Sequence, residues 1–120
     1  MAAMRYIVRD VSASVAFYSE NFGFELRQQF GPAMAIVAKG DLTLWLAGPV
    51  SSAAQAMPDG RKPESGGWNR IVLEVKGLPA LVERLRASGV KFRNEIVTGP
   101  GGSQILCEDP SGNCLELFEG

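Results

Sequence analysis

Glu108-Asp109-Pro110-Ser111-Gly112-Asn113-Cys114-Leu115-Glu116-Leu117-Phe118-Glu119 is the stretch around which the rest of the chain is organised. Asp-Pro-Ser-Gly signals a type I turn: Pro110 presets φ at the second position, and Gly112 can take the left-handed conformation after it. Such a turn closes a three-residue hairpin loop with a glycine bulge. The strand that follows alternates, with Leu115 and Leu117 on one face and Cys114, Glu116 and Phe118 on the other. Pairing Asp109 with Asn113 around the bulge sets Gln104 opposite Phe118 and Leu106 opposite Glu116. In that register Cys107 and Cys114 point to opposite faces, which predicts two buried thiols rather than a disulfide. Glu116, a carboxylate between apolar neighbours, is either one residue of a solvated face or part of a site.

Outward from this strand, the second half of the chain reads as a β-α-β-β-β unit. Residues 68–75 alternate, with Ile71, Leu73 and Val75 on one face and Trp68, Arg70, Val72 and Glu74 on the other. Leu78, Leu81, Val82 and Leu85 fall at i, i+3, i+4 and i+7, one apolar helical stripe, which Gly89 ends. Strands are predicted near 93–98, 103–108 and 113–119, with the Gly99-Pro100-Gly101-Gly102 run as a hairpin turn. The first half repeats the order. Residues 4–9 form a strand, and Asp10 is the N-cap of a helix over 11–22 carrying Val11, Val15, Tyr18 and Phe22 as its stripe. Gly23 ends that helix, and strands follow at 24–30, 33–38 and 42–47. Placing Val8 on Val75 superposes the halves with a period of about 67 residues. One domain of 1–120 is therefore expected, built from a module at 1–47, a Pro-, Gly-, Ser- and Ala-rich linker at 48–67 and a module at 68–120. Each module buries one sheet face under its helix and leaves the other free to line a cavity.

Composition removes several function classes. The 12 basic and 13 acidic residues nearly balance, which gives no electrostatic footprint for nucleic acid or an anionic membrane. No apolar run approaches the roughly 18 residues needed to span a bilayer. No signal-peptide pattern precedes the first strand, so a cytoplasmic protein is expected. The chain has no histidine. This takes away the commonest metal ligand, the commonest general base and every Ser-His or Cys-His nucleophile pair.

Two motifs carry a family resemblance. Arg9-Asp10-Val11-Ser12-Ala13-Ser14-Val15-Ala16-Phe17-Tyr18 with Phe22-Gly23-Phe24 resembles the strand-to-helix signature of the vicinal oxygen chelate superfamily. That group includes glyoxalase I, extradiol dioxygenases, and fosfomycin- and bleomycin-resistance proteins. The Glu108–Asn113 turn with Leu115-Glu116-Leu117-Phe118 resembles its closing motif. The resemblance implies an α+β fold of two tandem βαβββ modules, with a curved sheet around a cavity. It also implies a homodimer in which modules from two chains complete each cavity. The family's metal enzymes take one ligand from the first and the last strand of each module. Those positions are here Ala3, Thr43, Arg70 and Glu116. Ala has no donor, Thr is a poor ligand and Arg is a fixed cation, so no metal and no other cofactor is expected.

By strand parity Arg5, Thr43, Trp45, Trp68, Arg70, Gln104, Glu116 and Phe118 face the cavity, and these are the candidate ligand-binding residues. Arg70 and Glu116 can pair with each other or meet a polar or charged ligand. Trp45 and Trp68, the two tryptophans, can stack on a flat ligand or fill a core or a dimer interface. The resemblance is nearest in type to members without metal ligands, the bleomycin-resistance proteins. It implies a metal-free protein that sequesters a small aromatic or polar toxic compound. The alternative is a glyoxalase- or dioxygenase-like enzyme (lyase, isomerase or ring-cleaving) acting next to a carbonyl or diol, with Glu116 as base or sole retained metal ligand. An arginine held against Glu116 would make it a poor base, which tips the balance toward binding without turnover.

Overall fold

The computed structural model describes residues 2–120. Met1, at which the first module is expected to begin, lies outside the described residues. Along the chain run β1 (Met4–Ile7), α1 (Val11–Phe22), β2 (Glu25–Phe30), β3 (Met34–Lys39) and β4 (Leu42–Ala47). A 3-10 turn at Ser52–Ala54 interrupts the stretch that follows. Then come β5 (Arg70–Glu74), α2 (Leu78–Ala87), β6 (Lys91–Phe92), β7 (Val97–Gly99), β8 (Gly102–Glu108) and β9 (Cys114–Glu119). The fold is mixed α+β with two βαβββ modules.

The two modules share one topology. The first sheet has the order β1-β4-β3-β2 and the second β5-β9-β8-β6, with β7 also paired to β8. In each, the first strand lies parallel to the last, Arg5 beside Trp45 and Val72 beside Glu116, while the hairpins are antiparallel. The register at the closing hairpin is the predicted one, Gln104 opposite Phe118 and Leu106 opposite Glu116. Gly112 has φ 85°, and the Asp109 N–H donates to the Asn113 carbonyl at 2.9 Å, as a glycine-bulged loop requires.

Capping residues set the ends of α1. Asp10 is extended, and its Oδ1 accepts from the Ala13 N–H at 2.9 Å. Gly23, at φ 71°, closes the other end, where the Lys39 ammonium donates to the Phe22 carbonyl at the negative end of the helix dipole. The first turn of α2 has no side-chain cap of its own. The Glu119 carboxylate from the end of β9 accepts from the Gly77 and Leu78 N–H groups at 2.8 Å each. The Leu78 bond, then the Gly77 bond, hold that carboxyl below the usual carboxylate range.

One apolar cluster runs through both modules. Tyr6, Val8, Val37, Leu44 and Leu46 pack with Val11, Tyr18 and Phe22 of α1; Ile71, Leu73, Ile105, Leu115 and Leu117 pack with Leu78, Val82 and Leu85 of α2. Truncating any of the fully buried leucines to Ala should cost about 2–5 kcal/mol. The closing turn joins the modules. Ser111 Oγ accepts from the Arg9 N–H at 2.8 Å, and Asn113 Nδ2 donates to the Ile7 carbonyl at 2.8 Å. The Tyr6 hydroxyl reaches into the second module, donating to the Cys114 carbonyl at 2.6 Å and accepting from the Ile71 N–H at 3.0 Å. Burial pushes that phenol up to about 12.

Two expectations change. The strand predicted near 93–98 breaks into β6 and β7, because Asn94 Oδ1 accepts from the Leu106 N–H at 2.9 Å and replaces a ladder carbonyl. The strand predicted from Trp68 begins at Arg70. Ahead of it the backbone is held by side chains, with the Gly66 N–H donating to Asn113 Oδ1 and the Gly67 carbonyl accepting from Arg93. Strand parity therefore does not aim Trp68.

Candidate functional site

The face of each sheet turned away from its helix carries the candidate residues, and the structure divides them into two groups. Arg5, Thr43 and Trp45 lie on the first sheet, on β1 and β4. Arg70, Gln104, Glu116 and Phe118 lie on the second, on β5, β8 and β9, with Trp68 just before β5. No hydrogen bond or ion pair among the described residues links the first group to the second.

On the second face the charges are closed on themselves. Arg70 Nε donates to Glu116 Oε1 at 3.1 Å, and Arg70 Nη2 lies 3.1 Å from the same oxygen. With its amide nitrogen turned toward Glu116, Gln104 donates to Oε2 at 2.7 Å and reaches Oε1 at 3.2 Å. Glu116 is 8% exposed, so its carboxylate is desolvated and held by these partners rather than by water. A second pair lies beside it. Arg93 Nε donates to Glu108 Oε2 at 2.9 Å, and its two terminal nitrogens donate to the Gly67 and Gly112 carbonyls at 2.7 and 2.9 Å. Its guanidinium carbon sits 4.6 Å from the centroid of the Trp68 ring. Trp68 remains 67% exposed, a plate backed on one side by a fixed cation.

The first face is differently equipped. The Arg5 guanidinium carbon lies 5.1 Å from the Trp45 ring centroid. Arg5 and Trp45 line a cavity of about 210 Å³ with Ala3 and Met4. Trp45 Nε1 is buried, with no hydrogen-bond acceptor among the described residues. Thr43 is half-buried beside them. A separate cavity of about 330 Å³ opens where residues 62–65 pass over the end of β1, floored by Ile7, Val8, Pro49 and Ala54.

The four positions at which the family places metal ligands do not form a cation site of the ordinary kind. Among them Glu116 is the one carboxylate, and both of its oxygens already accept from Arg70 and Gln104. Among the described residues there is no group of three or more His, Cys, Asp or Glu placed to hold a metal ion. This donor set does not fit a divalent ion, because one paired carboxylate beside a guanidinium supplies neither the ligand number nor the charge.

Tyr18, which the helix stripe places in the core, is fully buried, and its hydroxyl donates to Asp109 Oδ2 at 2.9 Å rather than reaching either open face. Burial, and then the negative Asp109, raise its pKa. Asp109 also accepts from the Ser111 and Asn113 N–H groups and from Asn113 Nδ2. The closing motif is thus a lock between modules. Both cysteines are free and buried, and burial pushes the Cys107 thiol up to about 12. Arg93 and Glu108 escaped the sequence reading. The signal was a regular strand predicted through Arg93, where the chain instead bends and turns that side chain onto Trp68.

With this geometry in place, the comparisons with known proteins are specific about family and fold. Residues 1–117 match the Glyoxalase/Bleomycin resistance protein/Dioxygenase superfamily, and the chain belongs to it. A lactoylglutathione lyase from Agrobacterium tumefaciens is similar in structure, at 23% identity over 99% of this chain and 93% of that one, with a TM-score of 0.74. The fosfomycin resistance protein FosX from Listeria monocytogenes is similar at 20% identity, covering 100% of this chain and 92% of that one, with a TM-score of 0.75. A glyoxalase-related enzyme from Fulvimarina pelagi gives 21% identity, 100% and 87% coverage, and a TM-score of 0.76. No curated protein sequence matches the chain. No helix among the described residues is long and apolar enough to cross a membrane.

Proposed function

We propose that this chain is a metal-free small-molecule binding protein that sequesters an aromatic or polar toxic compound on the inner faces of its modules. The observation that carries the reading is the closed Arg70–Glu116–Gln104 cluster. A carboxylate whose two oxygens already accept from a guanidinium and an amide is poorly placed to hold a cation. What these faces offer for contact is aromatic surface: the exposed Trp68 plate, with the partly buried Trp45 ring and Phe118. Rings of this kind hold flat ligands by stacking and apolar burial, and sequestration needs no chemical step.

The working unit is a homodimer. Phe30 on the first inner face is 49% exposed, and Val72 and Val97 on the second are 52% and 51% exposed. Apolar side chains left exposed on both sheet faces favour a second protein surface over water. A second copy would set the first face of one chain against the second face of the other. The enzyme reading, with Glu116 as base or sole retained metal ligand, draws on the likeness to a lactoylglutathione lyase, which at 23% identity speaks to fold.

The test is a screen of small aromatic and polar compounds by tryptophan fluorescence, each hit then followed for product formation. Saturable quenching with the compound recovered unchanged is the expected result. Turnover of a hit that is abolished by Glu116→Gln in a folded variant would replace this reading with the enzyme one.

A further inference from the structure

We propose that Arg93 is a positioning residue, which holds Trp68 as a preformed platform for a flat ring to stack on; this rests on the binding reading above. Trp68 precedes β5, so no strand pairing fixes it. Its ring is 67% exposed, so core packing does not fix it either. What the ring rests on is Arg93, whose guanidinium carbon is 4.6 Å from the ring centroid. That guanidinium is itself anchored, because each of its three nitrogens donates. Nε bonds Glu108 Oε2 at 2.9 Å, Nη1 the Gly67 carbonyl at 2.7 Å and Nη2 the Gly112 carbonyl at 2.9 Å. The Arg93 side chain is 14% exposed, so water competes little for these bonds.

The backbone beneath the ring is gripped as well. The Gly66 N–H donates to Asn113 Oδ1 at 2.9 Å, and the Trp68 carbonyl accepts from Arg70 Nη1 at 3.4 Å. With the Arg93 bond to Gly67, consecutive residues 66, 67 and 68 are each tied to a different side chain. The Arg70 bond also joins the plate to the Arg70–Glu116 cluster. A role in stability alone would bury the indole, whereas this grip fixes a ring that stays in water. An exposed tryptophan left to itself samples several rotamers, and a compound stacking on it must first order that side chain. Fixing the ring in advance removes this cost. With one face against the guanidinium, the other is left for a flat π-system, which gains more from such a surface than a branched aliphatic compound does.

The probe is 2-naphthol, flat and uncharged at neutral pH. The readout is the ¹H–¹⁵N spectrum, in which the two tryptophan indole signals are assigned with Trp45→Phe. In the free protein the heteronuclear NOE of the Trp68 indole should be as high as that of the backbone. Arg93→Met should lower it and leave the Trp45 indole rigid, and Arg93→Lys, a cation without the planar fork, should restore part of the order. Glu108→Gln, which weakens one anchor, should loosen Trp68 less and serves where Arg93→Met fails to fold. 2-Naphthol should shift the Trp68 signal saturably and bind Arg93→Met about three- to tenfold more weakly. In a Trp68→Ala background Arg93→Met should make no further difference, a result that a merely structural role would not give. A Trp68 indole that is mobile in the wild type, or equally rigid in Arg93→Met, would overturn the assignment. Rigidity that appears only as protein concentration rises would also overturn it, by giving the ring to a second copy. If 2-naphthol and the compounds of the screen act at Trp45 and leave Trp68 unmoved, the platform falls and the binding reading stands. If no compound perturbs either indole, both fall.

Discussion

The two modules have the same topology and nearly the same register, yet their inner faces are opposites. On the second, Arg70 and Arg93 each meet a carboxylate, and Arg93 spends its remaining donors on backbone carbonyls. On the first, no described residue gives Arg5 a carboxylate or the Trp45 N–H an acceptor. A repeated backbone thus carries one face whose charges are paired within the sheet and one on which the described residues supply no such pairing. The difference teaches that position in the repeat does not fix role. Arg70 stands at a ligand position of the family and works as half of an ion pair, while Arg5 stands beside such a position and is left free.

The comparison breaks most visibly at the lock between modules. Asp109→Ala would strand the Tyr18 hydroxyl and the Ser111 and Asn113 N–H groups in the interior. A loss of about 3–5 kcal/mol is expected in urea unfolding, and a change under about 1 would show that the lock is redundant. Tyr6→Phe should follow at about 2 kcal/mol, since it leaves the Cys114 carbonyl and the Ile71 N–H unpaired. The wild-type phenol adds a pH signature. Its folded pKa, raised to about 12, keeps its contribution intact below about 10 and loses it as pH rises from there toward 12. Tyr6→Phe should flatten that alkaline limb.

Two smaller effects sharpen the contrast between faces. Glu116→Ala leaves Arg70 without its partner. Because the Arg70 side chain is 31% exposed, the expected cost is about 1–2 kcal/mol rather than the full penalty of a buried lone charge. Arg5→Ala should change stability by less than about 0.5 kcal/mol, as an exposed cation with no carboxylate partner. Equal losses from the two would erase the distinction between a paired and an unpaired face. Glu119→Gln should weaken the start of α2 at neutral pH. The wild-type contribution is present above the ordinary carboxylate value and lost as pH falls through the depressed one, so the variant's acid limb should be shallower.

Much of this was legible in the sequence because it was local. Asp10, Gly23 and the Val11–Phe22 stripe fix α1 without help from the rest of the chain, and Asp109-Pro110-Ser111-Gly112 fixes the closing register. That register sent Cys107 and Cys114 to opposite faces and Glu116 toward Arg70. What escaped was decided at long range. Asn94 displaces a ladder carbonyl at Leu106, bending the chain so that Arg93 reaches Trp68 and two distant carbonyls. No periodicity encodes that. The eight candidate residues likewise shared one face by parity, whereas the structure places them on two separate sheets, with Trp68 ahead of its strand. Parity tells which side of a sheet a residue takes, and nothing about whether two sheets face each other.

Binding of a small molecule on these faces is proposed to need no metal. The most direct measurement is elemental analysis of protein purified without chelator, followed by titration with Ni, Zn, Mn and Fe(II). The account predicts no metal above trace and no saturable binding. One equivalent of tightly held metal, lost in Glu116→Gln, would contradict it and return the chain to the metal-dependent part of its family.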